Sequence, residues 1–306
     1  MNLPDESVGA EHKKCLTMLV ISMMIFGTIG LFRKFIDLPS SFLAMARGII
    51  GSLFLIVFLV CRKAAKRSEH VLDITAIRPN LWLLFLSGAM IGFNWILLFE
   101  AYKYTSIATA TLCYYMAPVF VILMSPVFIK EKLTLRKIIC VIVALVGEGL
   151  VCGVGGSDLS LAGNGLGIVL GLGAALLYAF VIITNQKITN IGSYDRTVMQ
   201  LSSAAIVLIP YVLLTEKGYS DNFDAKTIIL VIFVGIVHTG IAYALYFGSM
   251  SALKSSTVAL FGYLDPVCAI VLSAILLGEP LGLAGVIGAI MILSAAAVSE
   301  LKTEEA

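Results

Sequence analysis

The chain has 306 residues, of which 59% are hydrophobic and only 13% charged, and its mean hydropathy is +1.01. That is far more apolar surface than one soluble core needs, and it identifies a membrane protein. A net charge of +2 without an extended basic run leaves no footprint for nucleic acid. Six cysteines (Cys15, Cys61, Cys113, Cys140, Cys152, Cys268) show neither metal-type spacing nor a paired pattern and read as reduced packing residues.

A bilayer core about 30 Å thick needs about 20 apolar residues of helix, and helices satisfy their backbone donors without water. Ten such spans are predicted, near 16–32, 40–61, 80–102, 106–129, 134–152, 163–188, 195–214, 227–250, 255–277 and 281–299, with breaks at Pro39, Pro79, Gly153 to Gly156 and Glu279-Pro280. The polar amino end, Met1 to Lys14, leads into the first span with no small-residue cleavage site, so that span is expected to stay in the chain. With the amino end inside, the cytoplasmic segments hold 15 Lys and Arg and the outer segments 5. This asymmetry predicts a multi-pass protein of the cytoplasmic membrane with both termini inside.

Shifting the chain by 148 residues aligns Thr109–Ile139 with Thr257–Ile287 without a gap, and 11 of the 31 positions are identical, among them Tyr115/Tyr263, Pro118/Pro266, Ser125/Ser273 and Glu131/Glu279. Shared hydrophobicity does not place Tyr, Pro, Ser and Glu in register, so this is a duplicated unit, expected to divide the chain into 1–152 and 153–306. Five spans per unit force the second copy to enter the membrane from the opposite side. The expected fold is therefore an all-α integral membrane protein of ten transmembrane helices in two inverted five-helix repeats, with a site at the midplane.

The repeats each end in Pro-x(12)-Glu-x-Leu (Pro118 to Glu131 and Leu133; Pro266 to Glu279 and Leu281), and Phe26-Gly27 and Tyr178-Ala179 occupy further motif positions. In these features the chain resembles the EamA family of the drug/metabolite transporter superfamily, over roughly 16–300. The resemblance implies cytoplasmic termini, a central cavity between the halves with the fifth and tenth helices set aside from it, and transport, often export, of small metabolites.

An ionisable group deep in a membrane costs about 2.5–3.5 kcal/mol on insertion scales, so such groups tend to face a cavity or a partner. In the second span Arg47 lies at a depth compatible with Glu100 in the third, and the two are expected to pair as a brace, with a gate as the alternative. Asn94 and Trp95 offer an amide and an aromatic surface on another face of the third span. Tyr114, Tyr115, Tyr178, Tyr243, Tyr246 and Tyr263 lie inside spans rather than at the headgroup belt, and with Asn185 they fall on helix faces that fit a common aromatic cavity. Glu131 and Glu279 read as caps of the spans they precede. Glu148 is expected to reach the outer interface. Gly163, Gly167, Gly171 and Ala175 form a smooth ladder for close packing or sliding.

His238 sits near the middle of the eighth span on a strip with Gly235, Thr239, Ala242, Tyr246 and Ser249, either as a ligand or proton carrier or as an interhelical bond. Asp265 lies immediately before Pro266, whose missing N–H is expected to leave the Gly262 carbonyl free. Its face is equally open to a cavity or to close packing. Ala284/Gly288 and Gly285/Ala289 hint at a homodimer.

The substrate-binding set expected is thus Asn94, Trp95, Tyr114, Tyr115, Tyr178, Asn185, His238, Tyr246, Tyr263 and Asp265, with His238, Asp265, Glu100 and Arg47 for coupling or gating. No metal or cofactor is expected. The function expected is alternating-access transport, as an exporter, of a small metabolite such as an amino acid or amine, with proton coupling as one option. The alternatives are a polytopic membrane enzyme, for which no paired acid/base set or nucleophile stands out, and a non-transporting sensor, for which no output domain is visible.

Overall fold

The computed structural model describes residues 4–33, 35–66, 71–105, 110, 113–151, 165–216, 224–277 and 282–300. Their apolar runs form helices, because within a bilayer only a helix or a closed barrel bonds its own backbone. The helices are α1 (Pro4–Gly27), α2 (Ile29–Arg33), α3 (Ser40–Ala64), α4 (Ile74–Tyr104), α5 (Ala117–Phe128), α6 (Leu135–Val151), α7 (Gly165–Lys187), α8 (Ser193–Thr215), α9 (Ala225–Ser249), α10 (Ser255–Phe261), α11 (Leu264–Leu277) and α12 (Leu283–Glu300). They account for the ten spans, the first being α1 with α2 and the ninth α10 with α11. Among the described residues α3, α4, α7, α8 and α9 are each long and apolar enough to cross a membrane unaided.

Pro79 does not end a helix as expected. α4 runs through it, because Asp73 caps the helix by accepting from the N–H groups of Thr75 (3.0 Å) and Ala76 (3.2 Å), and Pro79 follows close behind, where only one donor is lost. The ninth span, placed as one run over 255–277, breaks at Gly262-Tyr263. The Gly262 carbonyl is not left free: the N–H of Asp265 donates to it at 3.3 Å.

Helix contacts come in exchanged pairs, as a pseudo-two-fold requires. α4 packs on α7 as α9 packs on α1; α4 on α8 as α3 on α9; α5 on α7 as α11 on α1. Repeat mates meet on the axis itself, α3 with α8 and α6 with α12. Tyr115 and Tyr263, 148 residues apart, touch there: the Tyr263 hydroxyl donates to the Tyr115 carbonyl at 2.8 Å, with ring centroids 6.0 Å apart.

Small residues set the distances. A Cβ on Gly88 would collide with the Gln200 carbonyl and lie 2.6 Å from Ser203 Cβ, and one on Gly147 would lie 2.7 Å from the Gly288 carbonyl oxygen. The small face of α12 offered for self-association is thus used, at Gly288, inside the chain. The ladder on α7 packs Gly167 against Thr105 at the end of α4 and Gly171 against Cys113 in the fourth span; Gly163 lies outside the described residues. Glu148 is wholly buried rather than reaching an interface, because α12 covers its side of α6.

Polar braces fasten the spans. Ser87 of α4 accepts from the amides of Asn185 on α7 (3.0 Å) and Gln200 on α8 (2.8 Å), and Gln200 also donates to Asn185 Oδ1 at 3.0 Å. Asn94 donates to the Ala174 carbonyl at 2.6 Å. Truncating one member strands the others, so Asn185→Ala is expected to lower stability by about 1–3 kcal/mol in a detergent unfolding titration while leaving solute affinity within two-fold. Gly88→Val should abolish the folded peak in size-exclusion chromatography, whereas Gly165→Val, with open space around it, should preserve it.

Candidate functional site

Where the spans converge, a cavity of about 40 Å³ is lined by Met23, Phe26, Tyr114, Tyr115, Ala117, Pro118, Tyr178, Ala259, Gly262 and Asp265. α1, the fourth span, α7 and the ninth span all contribute. Each repeat supplies the break before its Pro118 or Pro266 motif, and those breaks let backbone and small residues (Ala117, Gly262) approach the space. The repeats differ at one decisive position. Asp265 is the mate of Ala117 under the 148-residue shift, so one wall carries a carboxylate and the matching wall a methyl.

The aromatic wall is continuous. Tyr114 lies 5.7 Å from Tyr178, Tyr178 stacks 6.4 Å from Tyr246, and their hydroxyls bond at 2.7 Å with Tyr178 donating. Phe26 meets Tyr243 at 5.0 Å and Tyr246 at 6.1 Å, edge on. Tyr243 in turn meets Trp95 at 6.2 Å, and the Arg47 guanidinium lies 5.4 Å over the Trp95 ring. Between Asp265 and Arg47 the rings therefore form an unbroken series of contacts.

Arg47 is held by α9. Residues Val234–Ile241 of that helix are π-helical, a wide turn often found at functional sites. Gly235 and Gly240 let α3 come so close that a Cβ would lie 2.6 Å from Ile50 and 2.9 Å from Phe54. Arg47 Nε consequently donates to Thr239 Oγ1 at 3.0 Å. The neighbouring His238 is buried, its Nε2 2.7 Å from the hydroxyl of Thr28 at the break between α1 and α2, and flanked by Phe32 and Phe233.

The structure thus brings Tyr114, Tyr115, Tyr178 and Asp265 to one cavity, with Tyr246 bonded behind Tyr178. Tyr263 is fully buried behind Tyr115, its hydroxyl spent on that residue's backbone. Asn94 and Asn185 are spent on interhelical braces, since their carriers α4 and α7 share the most extensive contact in the fold. Trp95 and His238 belong to the Arg47 end. The expected Arg47–Glu100 pair is not formed: depth was matched but azimuth was not. Glu100 accepts instead from Lys103 Nζ at 2.7 Å and from the Tyr211 hydroxyl, beside a separate pocket lined with Ser41, Tyr102 and Glu216.

One polar group was missed. Glu131, expected to cap the helix that follows it, reaches the other repeat and accepts from the hydroxyls of Ser255 (2.5 Å) and Ser256. Lys137 Nζ donates to Ser256 at 2.7 Å and Thr257 at 3.1 Å, and the Ser125 and Ser255 hydroxyls are 2.9 Å apart. This clasp ties α5, the turn after it and the start of α6 to α10. The repeat alignment carries a trace of it, since Ser255, Ser256 and Lys137 align with Ile107, Ala108 and Gly285, so the mate of the clasp lacks these groups. Glu279 lies outside the described residues.

The sequence matches the EamA-like transporter family over residues 13–152 and again over 165–300. An uncharacterized transporter, YxxF, of Bacillus subtilis (strain 168) is 32% identical over 301 residues, covering 98% of this chain and 94% of its own. Protein RarD of Salmonella typhi is 25% identical over 272 residues, 88% of each chain. A protein of known crystal structure superposes with a TM-score of 0.81 over 94% of this chain and 96% of its own, at 17% identity, and so shares the fold. With two matched repeats, paired helix contacts and five helices long and apolar enough to cross a membrane among the described residues, this chain is a multi-pass membrane transporter and belongs to the EamA-like transporter family.

Proposed function

We propose that the chain is a secondary transporter that exports a small amine or amino acid by alternating access around the Asp265 cavity. The observation that carries this reading is Asp265 itself: a carboxylate inside the membrane, with no cationic partner among the described residues, facing a space walled by Phe26, Tyr114, Tyr115 and Tyr178. Membrane carboxylates are retained against their insertion cost where they serve a path. Aromatic faces attract a desolvated ammonium by about 2 kcal/mol or more, which complements the Coulomb attraction of the acid.

A cavity of about 40 Å³ takes a water or two but no metabolite, so the solute enters only when the helices part. The clasp of Glu131, Lys137, Ser255 and Ser256 is the contact that must open at its end. That end also carries Lys130, Lys132 and Lys254, which the positive-inside rule assigns to the cytoplasm together with both termini. Coupling follows from competition: one carboxylate binds either a proton or an ammonium, so an inward proton releases the solute on the trans side.

Uptake into liposomes containing the purified protein should accelerate at least several-fold under an imposed pH gradient and fall at least ten-fold in Asp265→Asn; an unchanged rate with and without the gradient contradicts proton coupling. In a background cleared of native cysteines, S125C with S255C should cross-link on mild oxidation, stop transport and recover on reduction. Full transport by the cross-linked protein would mean that this end does not open.

A further inference from the structure

We propose that Arg47, steadied by Thr239, is the anchor for a carboxylate on the transported solute, so that the solute carries an acid group as well as an ammonium. This rests on the transport reading above and narrows its solute class. Arg47 is a cation within the third helix from the amino end with no counter-charge among the described residues: Glu100 is engaged with Lys103 and Tyr211, and Asp265 lies beyond the series of rings. Its one hydrogen bond among the described residues uses Nε, to Thr239. The two terminal nitrogens, the fork that fits a carboxylate bidentately, are left without a protein acceptor.

The surroundings look assembled to present that fork. The Gly235 and Gly240 crossing and the π-helical turn place Thr239 under Nε, and Trp95 covers one face of the guanidinium. One hydrogen bond at Nε and one stacked face hold it in place. A second deficit lies beside it. Thr28 spends its hydroxyl hydrogen on the Ile25 carbonyl at 2.7 Å, so His238 donates from Nε2 and its buried Nδ1 is an acceptor without a partner. A ligand with an oxyanion for the guanidinium and a polar hydrogen for the imidazole satisfies both, and a simple amine satisfies only the second.

A brace would look different. A guanidinium serving only to tie helices would spend its terminal nitrogens on carbonyls, as Arg196 does on Ile188 (3.0 Å) and Phe247 (3.3 Å). Arg47 spends none there.

The test uses matched pairs that differ by one carboxylate held at the far end from the ammonium, 4-(2-aminoethyl)benzoate against phenethylamine and 6-aminohexanoate against pentylamine, with benzoate as an acid lacking the ammonium. Binding to the purified protein is read by thermal shift or calorimetry and transport by liposome uptake. Wild type should prefer the carboxylated member by about ten-fold or more, Arg47→Gln should erase that preference, and Arg47→Lys, which keeps the charge but not the fork, should keep only part of it. Should Arg47→Gln fail to fold, Thr239→Val, which removes the acceptor under Nε, must weaken the preference for the acid in the same way. Equal binding of acid and amine by wild type, or an acid preference that survives Arg47→Gln, overturns the anchor. Transport of the amines without the acids overturns it too, yet leaves the amine reading standing. Benzoate binding lost in Arg47→Gln, in a protein that binds none of the amines, keeps the anchor and removes the amine reading.

Discussion

A charge inside a bilayer must be compensated, and in this chain two opposite charges within the spans are kept apart. Asp265 and Arg47 would neutralise each other if they touched, and the membrane would favour that contact. A chain of rings from Tyr114 to Trp95 stands between them instead. The separation leaves two unsatisfied poles facing an aromatic interior, and much of the surrounding structure serves to maintain it. The breaks in the first and ninth spans, the π-helical turn of α9 and the glycine crossing of α3 each place one pole or hold one ring.

The pseudo-two-fold explains how such a site arises in a duplicated chain. Packing is symmetric: Tyr115 meets Tyr263, α6 meets α12, and each contact has its exchanged mate. Chemistry is not. Asp265 faces the cavity where its mate is Ala117, and the clasp hydroxyls Ser255 and Ser256 stand where the first repeat has Ile107 and Ala108. Symmetric packing makes the two halves equivalent in their helix contacts, while asymmetric side chains make the two ends chemically unequal.

Much of the architecture was legible in the sequence. Ten spans follow from apolar length, and inversion follows from an odd number of spans in a repeat whose Tyr, Pro, Ser and Glu stay in register. The clustering of Tyr114, Tyr115 and Tyr178 was legible too, because a buried phenol is conspicuous far from the headgroups, whereas Tyr243, Tyr246 and Tyr263 lie outside the cavity lining. What failed depends on azimuth and on long-range partners. Arg47 and Glu100 share a depth, but α3 turns Arg47 towards α9 while Glu100 points to Lys103 and Tyr211. Asn94 and Asn185 carry the same amide whether they meet a solute or a neighbouring helix, and only the packing of α4 on α7 and α8 decides. Glu131 looks like a cap in one dimension because its partners are over 120 residues away.

The central claim is that the Asp265 cavity is the space to which each face of the membrane gains access in turn. A cysteine at Ala117, the neutral wall opposite Asp265, tests it in a background without native cysteines. Membrane-impermeant maleimide should label that cysteine from either side of sealed vesicles, at rates that amines or amino acids suppress. Labelling from one side only, or labelling indifferent to every solute, would contradict the account.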